Sequence, residues 1–312
     1  MAMSEKEKNK VIEAGKIASQ IREYAKTIIK KDIPLLEIAE KIESKIIEIG
    51  KQNKPNAKPA FPCNLSINDI AAHYTPSFDD KTLAHGLLKV DFGVHIDGYV
   101  ADTSFSIDLE ENREKSETNK KLIQAAQIAL DGALKEVKQK GINVSANLIG
   151  KQIYETIKKF DPKMTPIINL SGHSIEQYEL HSGITIPNID DNRKVQLTAG
   201  VYAIEPFTTY GNGKIYDGKK SGIYQLQNKK NTRSPIARKV LNFIQENYKT
   251  LPFCSRWLVK ELGTSSLLGL QQLEQQGLIH QYEQLVESSH SNVAQAEHTI
   301  LITKDKVIVT TE

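Results

Sequence analysis

Cysteine is scarce: Cys63 and Cys254 are the only two in 312 residues, they lie far apart, and they form no CxxC pair. That excludes a disulfide scaffold and a thiolate zinc site, and it suits a reducing compartment. Long apolar runs are missing as well. No stretch of about 18 apolar residues occurs, and lysines and glutamates break up MAMSEKEKNKVIEAGK at the start, so neither a membrane span nor a secretory leader is read and the expectation is an untargeted, cytoplasmic protein. An excess of either charge is absent too. Forty-one Lys and Arg against 38 Asp and Glu give a net charge of +3, too near balance to imply a nucleic-acid or membrane partner. No fixed short repeat is present, which argues against solenoids and propellers. What remains, 39% hydrophobic and 25% charged residues at a mean hydropathy of −0.40, describes a globular chain of two ordinary domains or one large one.

Apolar residues Ala14, Ile17, Ile21, Ala25 and Ile28 recur at steps of three and four and predict a helix from Glu5 to about Lys30. After Pro34, Leu35, Ile38, Ile42, Ile46 and Ile49 predict a second, ending in the loop KQNKPNAKP. Alternating residues on either side of Asp97-Gly98 predict a hairpin over 86–109. Helices are expected over about 119–140, stopped by Gly141, and 145–160. Short strand-like runs follow to about residue 210, and HTILITKDKVIVTTE reads as a last hairpin turning at Lys304-Asp305-Lys306. Between these, 225–290 holds three short helical patterns flanked by Lys219, Lys220, Lys229, Lys230 and Arg233. This order of elements predicts an α+β architecture with a helical insertion.

A two-residue turn at Asp97-Gly98 pairs residues whose numbers sum to 195, so Asp91 opposes Ser104. Asp91 and Asp102 then share a face as diagonal neighbours, with Cβ atoms roughly 7 Å apart, close enough to grip one cation or two adjacent ones. Asp91 interrupts the apolar run Leu87, Leu88, Val90, Phe92, Val94, where a carboxylate needs a partner. Asp97 reads as a solvated turn residue, and strand parity makes His95 a rival ligand on the Asp91 face. His173 and His181 stand eight residues apart in SGHSIEQYELHSG, Glu205 ends the run VYAIEPF, and Glu297 begins a strand in VAQAEHTILI. Four carboxylates and a neutral imidazole suit Mn, Fe, Co or Zn, and two divalent cations would cancel the charge.

FPCNLSINDIAAHYTP (61–76), KVDFGVHIDGYVADTSFSID (89–108), NLSGHSIEQYELHSG (169–183), AIEPFTTYGNGKIYD (203–217) and QAEHTILIT (295–303) occur in this order along the chain. In these stretches the sequence resembles the type 2 methionine aminopeptidases of the short archaeal kind, within the pita-bread metallopeptidase family. The resemblance implies a pita-bread fold of two pseudo-symmetric αβ halves. Residues 1–224 and 291–312 would form the catalytic domain and 225–290 a winged-helix-like insertion. It implies two divalent ions (Co, Mn, Fe or Zn) on Asp91, Asp102, His173, Glu205 and Glu297, with Asp102 and Glu297 bridging; His95 is not among the family's ligands. His73 and His181 would act as hydrogen-bond donors to the scissile amide and the developing oxyanion, and Glu205 would shuttle a proton to the leaving amine. Phe61, Pro62, Leu180 and Tyr282 would line the methionine pocket. The implied reaction is removal of the initiator methionine from nascent proteins with a small second residue, by attack of a metal-bridging hydroxide. The chain's own Met1-Ala2 start satisfies that rule, and MAMS equally reads as an extension ahead of a Met3-Ser4 start. A monomer without a membrane partner is expected, and nucleic-acid or ribosome contact through Lys229, Lys230, Arg233 and Arg238 stays open.

Overall fold

The structure, a computed structural model, describes residues 3–52 and 56–312; the Met1-Ala2 start and residues 53–55 of the KQNKPNAKP loop lie outside them. Helix α1 (Glu5–Ile28) opens with a reciprocal capping box between Ser4 and Glu7, which satisfies amides that the first turn would leave bare. It buries Ala14, Ile17, Ala18, Ile21 and Ala25, the expected stripe. Helix α2 (Leu35–Gln52) starts after Pro34 and buries Ile38, Ile42 and Ile46. Five strands follow: β1 (Ala57–Pro59), β2 (Asn64–Ile67), β3 (Ile70–Ala72), β4 (Gly86–Ile96) and β5 (Tyr99–Leu109). Ala57–Pro59, read as loop from its Pro and Asn content, is a strand because it pairs with the edge of β4.

The β4–β5 turn is the two-residue one expected. Asp97 and Gly98 both adopt positive φ, 51° and 84°, and Asp91 opposes Ser104 while Gly93 opposes Asp102. Helix α3 (Arg113–Lys140) begins six residues before the expected start, because Asn112 caps it by accepting from the Lys115 amide; its polar first turns show no apolar stripe. Helix α4 (Ala146–Phe160) follows, then β6 (Thr165–Pro166), β7 (Ser171–Ile175), β8 (Thr185–Pro187), β9 (Gly200–Ile204), β10 (Phe207–Thr209) and β11 (Ile215–Leu226). Helix α5 (Pro235–Asn247), β12 (Phe253–Cys254), α6 (Ser255–Leu262), α7 (Ser266–Gln275) and β13 (Ile279–Glu287) come next, and β14 (Val293–Gln295), β15 (Glu297–Ile302) and β16 (Val307–Val309) close the chain.

Nine strands make the main sheet in the order β1-β4-β5-β15-β9-β7-β8, with β2 also on β4 and β16 also on β15. Helices α1 and α2 cover one half around Ile17, Ile38, Val90 and Phe92. Helices α3 and α4 cover the other around Leu130, Ile149, Ile204 and Ile300. Each half is thus a helix pair over antiparallel strands, an α+β arrangement with β15 at the seam. Helices α5 to α7 pack round a separate core of Val240, Leu241, Phe253 and Leu273. They stand on a four-stranded sheet, β12-β11-β13-β3, whose last strand belongs to the N-terminal half. No described helix is long and apolar enough to cross a membrane.

Candidate metal centre and substrate cavity

Five polar side chains converge from neighbouring strands of the main sheet. Strand β4 supplies Asp91, level with Asn64 of β2. Strand β5 supplies Asp102, whose own N–H and C=O both bond the Thr299 hydroxyl of β15, at 2.7 and 2.8 Å. Glu297 opens β15 opposite Ser104, and its carbonyl accepts from the Thr103 hydroxyl at 3.0 Å. His173 lies on β7 opposite Ala203 of β9, and Glu205 follows directly on β9. The alternation of a strand decides which of these residues face the same way.

Asp102, His173 and Glu297 bring ligand atoms within 4.8 Å of one another. His173 Nε2 stands 3.8 Å from Asp102 Oδ2 and 3.9 Å from Glu205 Oε1. Asp102 and Glu297 are almost wholly buried, at 3% and 2% exposure. Among the described residues no Lys or Arg pairs with Asp91, Asp102, Glu205 or Glu297. Asp91 Oδ1, Asp102 Oδ1 and the Asn64 side-chain oxygen are buried without a hydrogen-bond partner. Such a cluster costs heavily unless something positive fills it. Burial, opposed slightly by the Asn64 amide, raises the Asp91 carboxyl to about 7. Burial first, then repulsion from the other carboxylates, pushes Asp102, Glu205 and Glu297 well above the ordinary range. Burial and the nearby His181 hold His173 well below its usual value, hence neutral. Carboxylates starved of counter-charge beside a neutral imidazole form a donor set that fits divalent cations.

All eleven residues to which the family resemblance assigns a role line one cavity of about 240 Å³. Phe61 and Leu180 are buried in its wall. Phe61 packs against Gly93, where any Cβ would stand 2.5 Å from the Phe61 ring. His73 has φ 66°, a left-handed conformation stabilised by Nδ1 lying 3.1 Å from the Glu283 carbonyl and by edge contact with Tyr282 at 5.5 Å. A carbonyl only accepts, so the proton of neutral His73 sits on Nδ1 and Nε2 is left as an acceptor. Burial lowers the His73 pKa, which favours that neutral form. His181 sits at the exposed rim, its ring 4.2 Å from that of His173. Tyr282 donates its hydroxyl to Gln225 at 2.7 Å.

His95 is not part of this group. Its Nδ1 accepts from the Gly98 amide at 3.0 Å and its ring meets Tyr178, so it braces the hairpin turn. Asp97 is exposed and pairs with Lys10 at 2.7 Å. Two residues at the site carried no signal of their own in the sequence. Asn64 faces the cavity beside Asp91, and Gln295 donates to Glu205 at 3.3 Å. Both depend on pairings between distant strands. Ile223, Pro252, Tyr282 and Leu285, from the segment around the inserted helices, line the same cavity. Lys229, Lys230, Arg233 and Arg238 are exposed on that segment.

A buried carboxylate and imidazole cluster at the seam of two αβ halves defines a metallohydrolase centre. The chain belongs to metallopeptidase family M24, whose model matches residues 9–304. It is 45% identical over 310 residues to the methionine aminopeptidase of Pyrococcus abyssi, covering 97% of this chain and 99% of that one. The methionine aminopeptidase of Methanocaldococcus jannaschii is 44% identical, with 97% and 98% covered. Among solved structures, that of a thermophilic Arx1 superposes with a TM-score of 0.82 over 99% of this chain and 91% of that one, at 18% identity. At that identity the likeness speaks for the fold alone, the pita-bread fold.

Proposed function

We propose that this chain removes the N-terminal methionine from peptides and nascent proteins whose second residue is small, with two divalent cations held by Asp91, Asp102, His173, Glu205 and Glu297. Asp102 and Glu297, with ligand atoms close to that of His173, would be shared between the ions, and the reaction belongs in the cytoplasm, where nascent chains emerge. The observation that carries this reading is the set of four carboxylates in one cavity with no protein cation to balance them. Two divalent ions neutralise four negative charges, and Mn, Fe, Co and Zn all accept such ligands. When bound, the ions supply Lewis acidity that polarises a carbonyl and makes water nucleophilic at neutral pH.

The chain's own groups do the rest. Phe61, Pro62, Leu180 and Tyr282 enclose the methionine side chain. His73 Nε2 accepts from the scissile amide N–H, while His181 donates to the carbonyl oxygen as negative charge develops there. Glu205, beside the attacking water, takes up the proton that water gives and passes it to the departing amine.

Chelated protein supplied with Mn, Co, Fe or Zn should release methionine from Met-Ala-Ser and leave Met-Lys-Ser intact. No release with any of the four ions, or equal release from both peptides, would remove this function.

A further inference from the structure

Away from the carboxylates lies a second buried charged group that the reaction does not use. Glu43 of α2 and Arg256 of α6, 6% and 3% exposed, form a bidentate ion pair at 2.6 and 2.8 Å. A buried ion pair is weak evidence for stability, since apolar residues of the same volume often do as well. What distinguishes this one is where its remaining bonds go. Glu43 accepts the Trp257 indole N–H at 2.8 Å and the Cys63 amide at 3.1 Å, directly after Phe61-Pro62. Arg256 Nε donates to the Pro76 carbonyl at 3.0 Å and Nη2 to the Thr75 hydroxyl at 3.4 Å, just after His73. The Thr75 hydroxyl in turn donates to the Cys63 carbonyl at 2.8 Å and closes the ring. On the other side of the cavity Thr250 donates its hydroxyl to the Tyr178 carbonyl at 2.5 Å, just before Leu180 and His181. The segment from Thr250 to Trp257 therefore spans the cavity and is fastened to both histidine-bearing loops, with Pro252 in the wall between them.

We propose that Glu43 and Arg256 are positioning residues that lock the inserted helices to the Phe61-Pro62 and His73 backbones, so that the methionine pocket and the His73 imidazole keep one fixed relation. This rests on the aminopeptidase reading. His73 occupies a left-handed backbone conformation that its neighbours must sustain. A lysine at position 256 would keep the charge but lose the fork that reaches Glu43, Pro76 and Thr75 together.

The test compares wild type with Arg256→Lys and with the isosteric Thr75→Val, which removes the bond to the Cys63 carbonyl and the one from Arg256 Nη2 while leaving the Glu43–Arg256 pair in place. Melting temperature, bound metal per chain, and kcat and KM on Met-Ala-Ser are measured for each. The expected result is a fall in kcat/KM on the order of tenfold or more, shared between a higher KM and a lower kcat per metal-loaded site. Metal content should stay at the wild-type level, and Thr75→Val should melt within a few degrees of wild type. A purely structural role would lower only the melting temperature and the active fraction. Unchanged KM and unchanged kcat per loaded site in Thr75→Val would overturn the proposal even if Arg256→Lys fails to fold. Should wild type itself be inactive, the aminopeptidase reading fails instead. Calorimetric binding of free L-methionine then still reads the pocket, and equal Kd values in wild type and Thr75→Val would overturn the positioning role.

Discussion

Loading the chelated protein with Mn at pH 7 should expel protons, in a number that shrinks as the pH rises. Asp91, raised to about 7, is half protonated there and yields about half a proton. Burial and mutual repulsion raise Asp102, Glu205 and Glu297 as well, and they add to the release. Because the four repel one another, a proton on one relieves its neighbours, and the expected release is at least about half a proton per chain at pH 7. The sign follows from the direction of the shifts. Folding favours the neutral carboxyl, so Asp91's contribution to the stability of the metal-free fold is complete below the unfolded value of 3.8 and is lost as the pH climbs through about 7. That loss amounts to about 4 kcal/mol, which bound cations reverse. Histidines held neutral by burial oppose this trend only below about pH 6.5, so the experiment belongs above it. Titration calorimetry in paired buffers of different ionisation enthalpy, at pH 6.5, 7.5 and 8.5, counts the protons directly. Release below about half a proton throughout would refute the argument from buried carboxyls.

Two further outcomes follow from the same geometry. Asp102→Asn should cost at least one metal equivalent and nearly all activity, whereas Asp97→Asn, exposed and tolerant of the left-handed turn, should shift stability by no more than about 0.5 kcal/mol; metal analysis and melting curves on both variants check this, and equal losses would refute the placement of the hairpin faces. Gly93→Ala drives a methyl into the Phe61 ring and should raise KM for Met-Ala-Ser about tenfold with metal content unchanged, and an unaltered KM would show that Phe61 is not a pocket wall.

The hairpin was legible because its turn is local: Asp97-Gly98 sets the register, and the register sets Asp91 against Ser104 and Asp102 against Gly93. The amphipathic helices α1 and α2 were legible from their apolar period. His95 shows the limit of the method, since parity places it on the Asp91 face while the turn claims it as the acceptor for Gly98. The start of α3 stayed hidden because its cap is a single asparagine before polar turns. Asn64, Gln295 and the Glu43–Arg256 pair were beyond reach for one shared reason. Each owes its role to contacts between segments remote in sequence, and no local pattern encodes such a meeting.

Strand β15 occupies the seam between β5 and β9 although it is among the last segments of the chain. The centre therefore has a temporal order built into it. While a ribosome is still making this protein, Asp91, Asp102, His173 and Glu205 exist without Glu297, and no strand yet bridges β5 and β9. Inserting a late strand into the middle of a sheet closes very long loops, a slow class of folding event. On the proposed ligand set, competence for metal arrives only once the sheet closes around Glu297, and a chain that has not finished folding lacks the assembled centre.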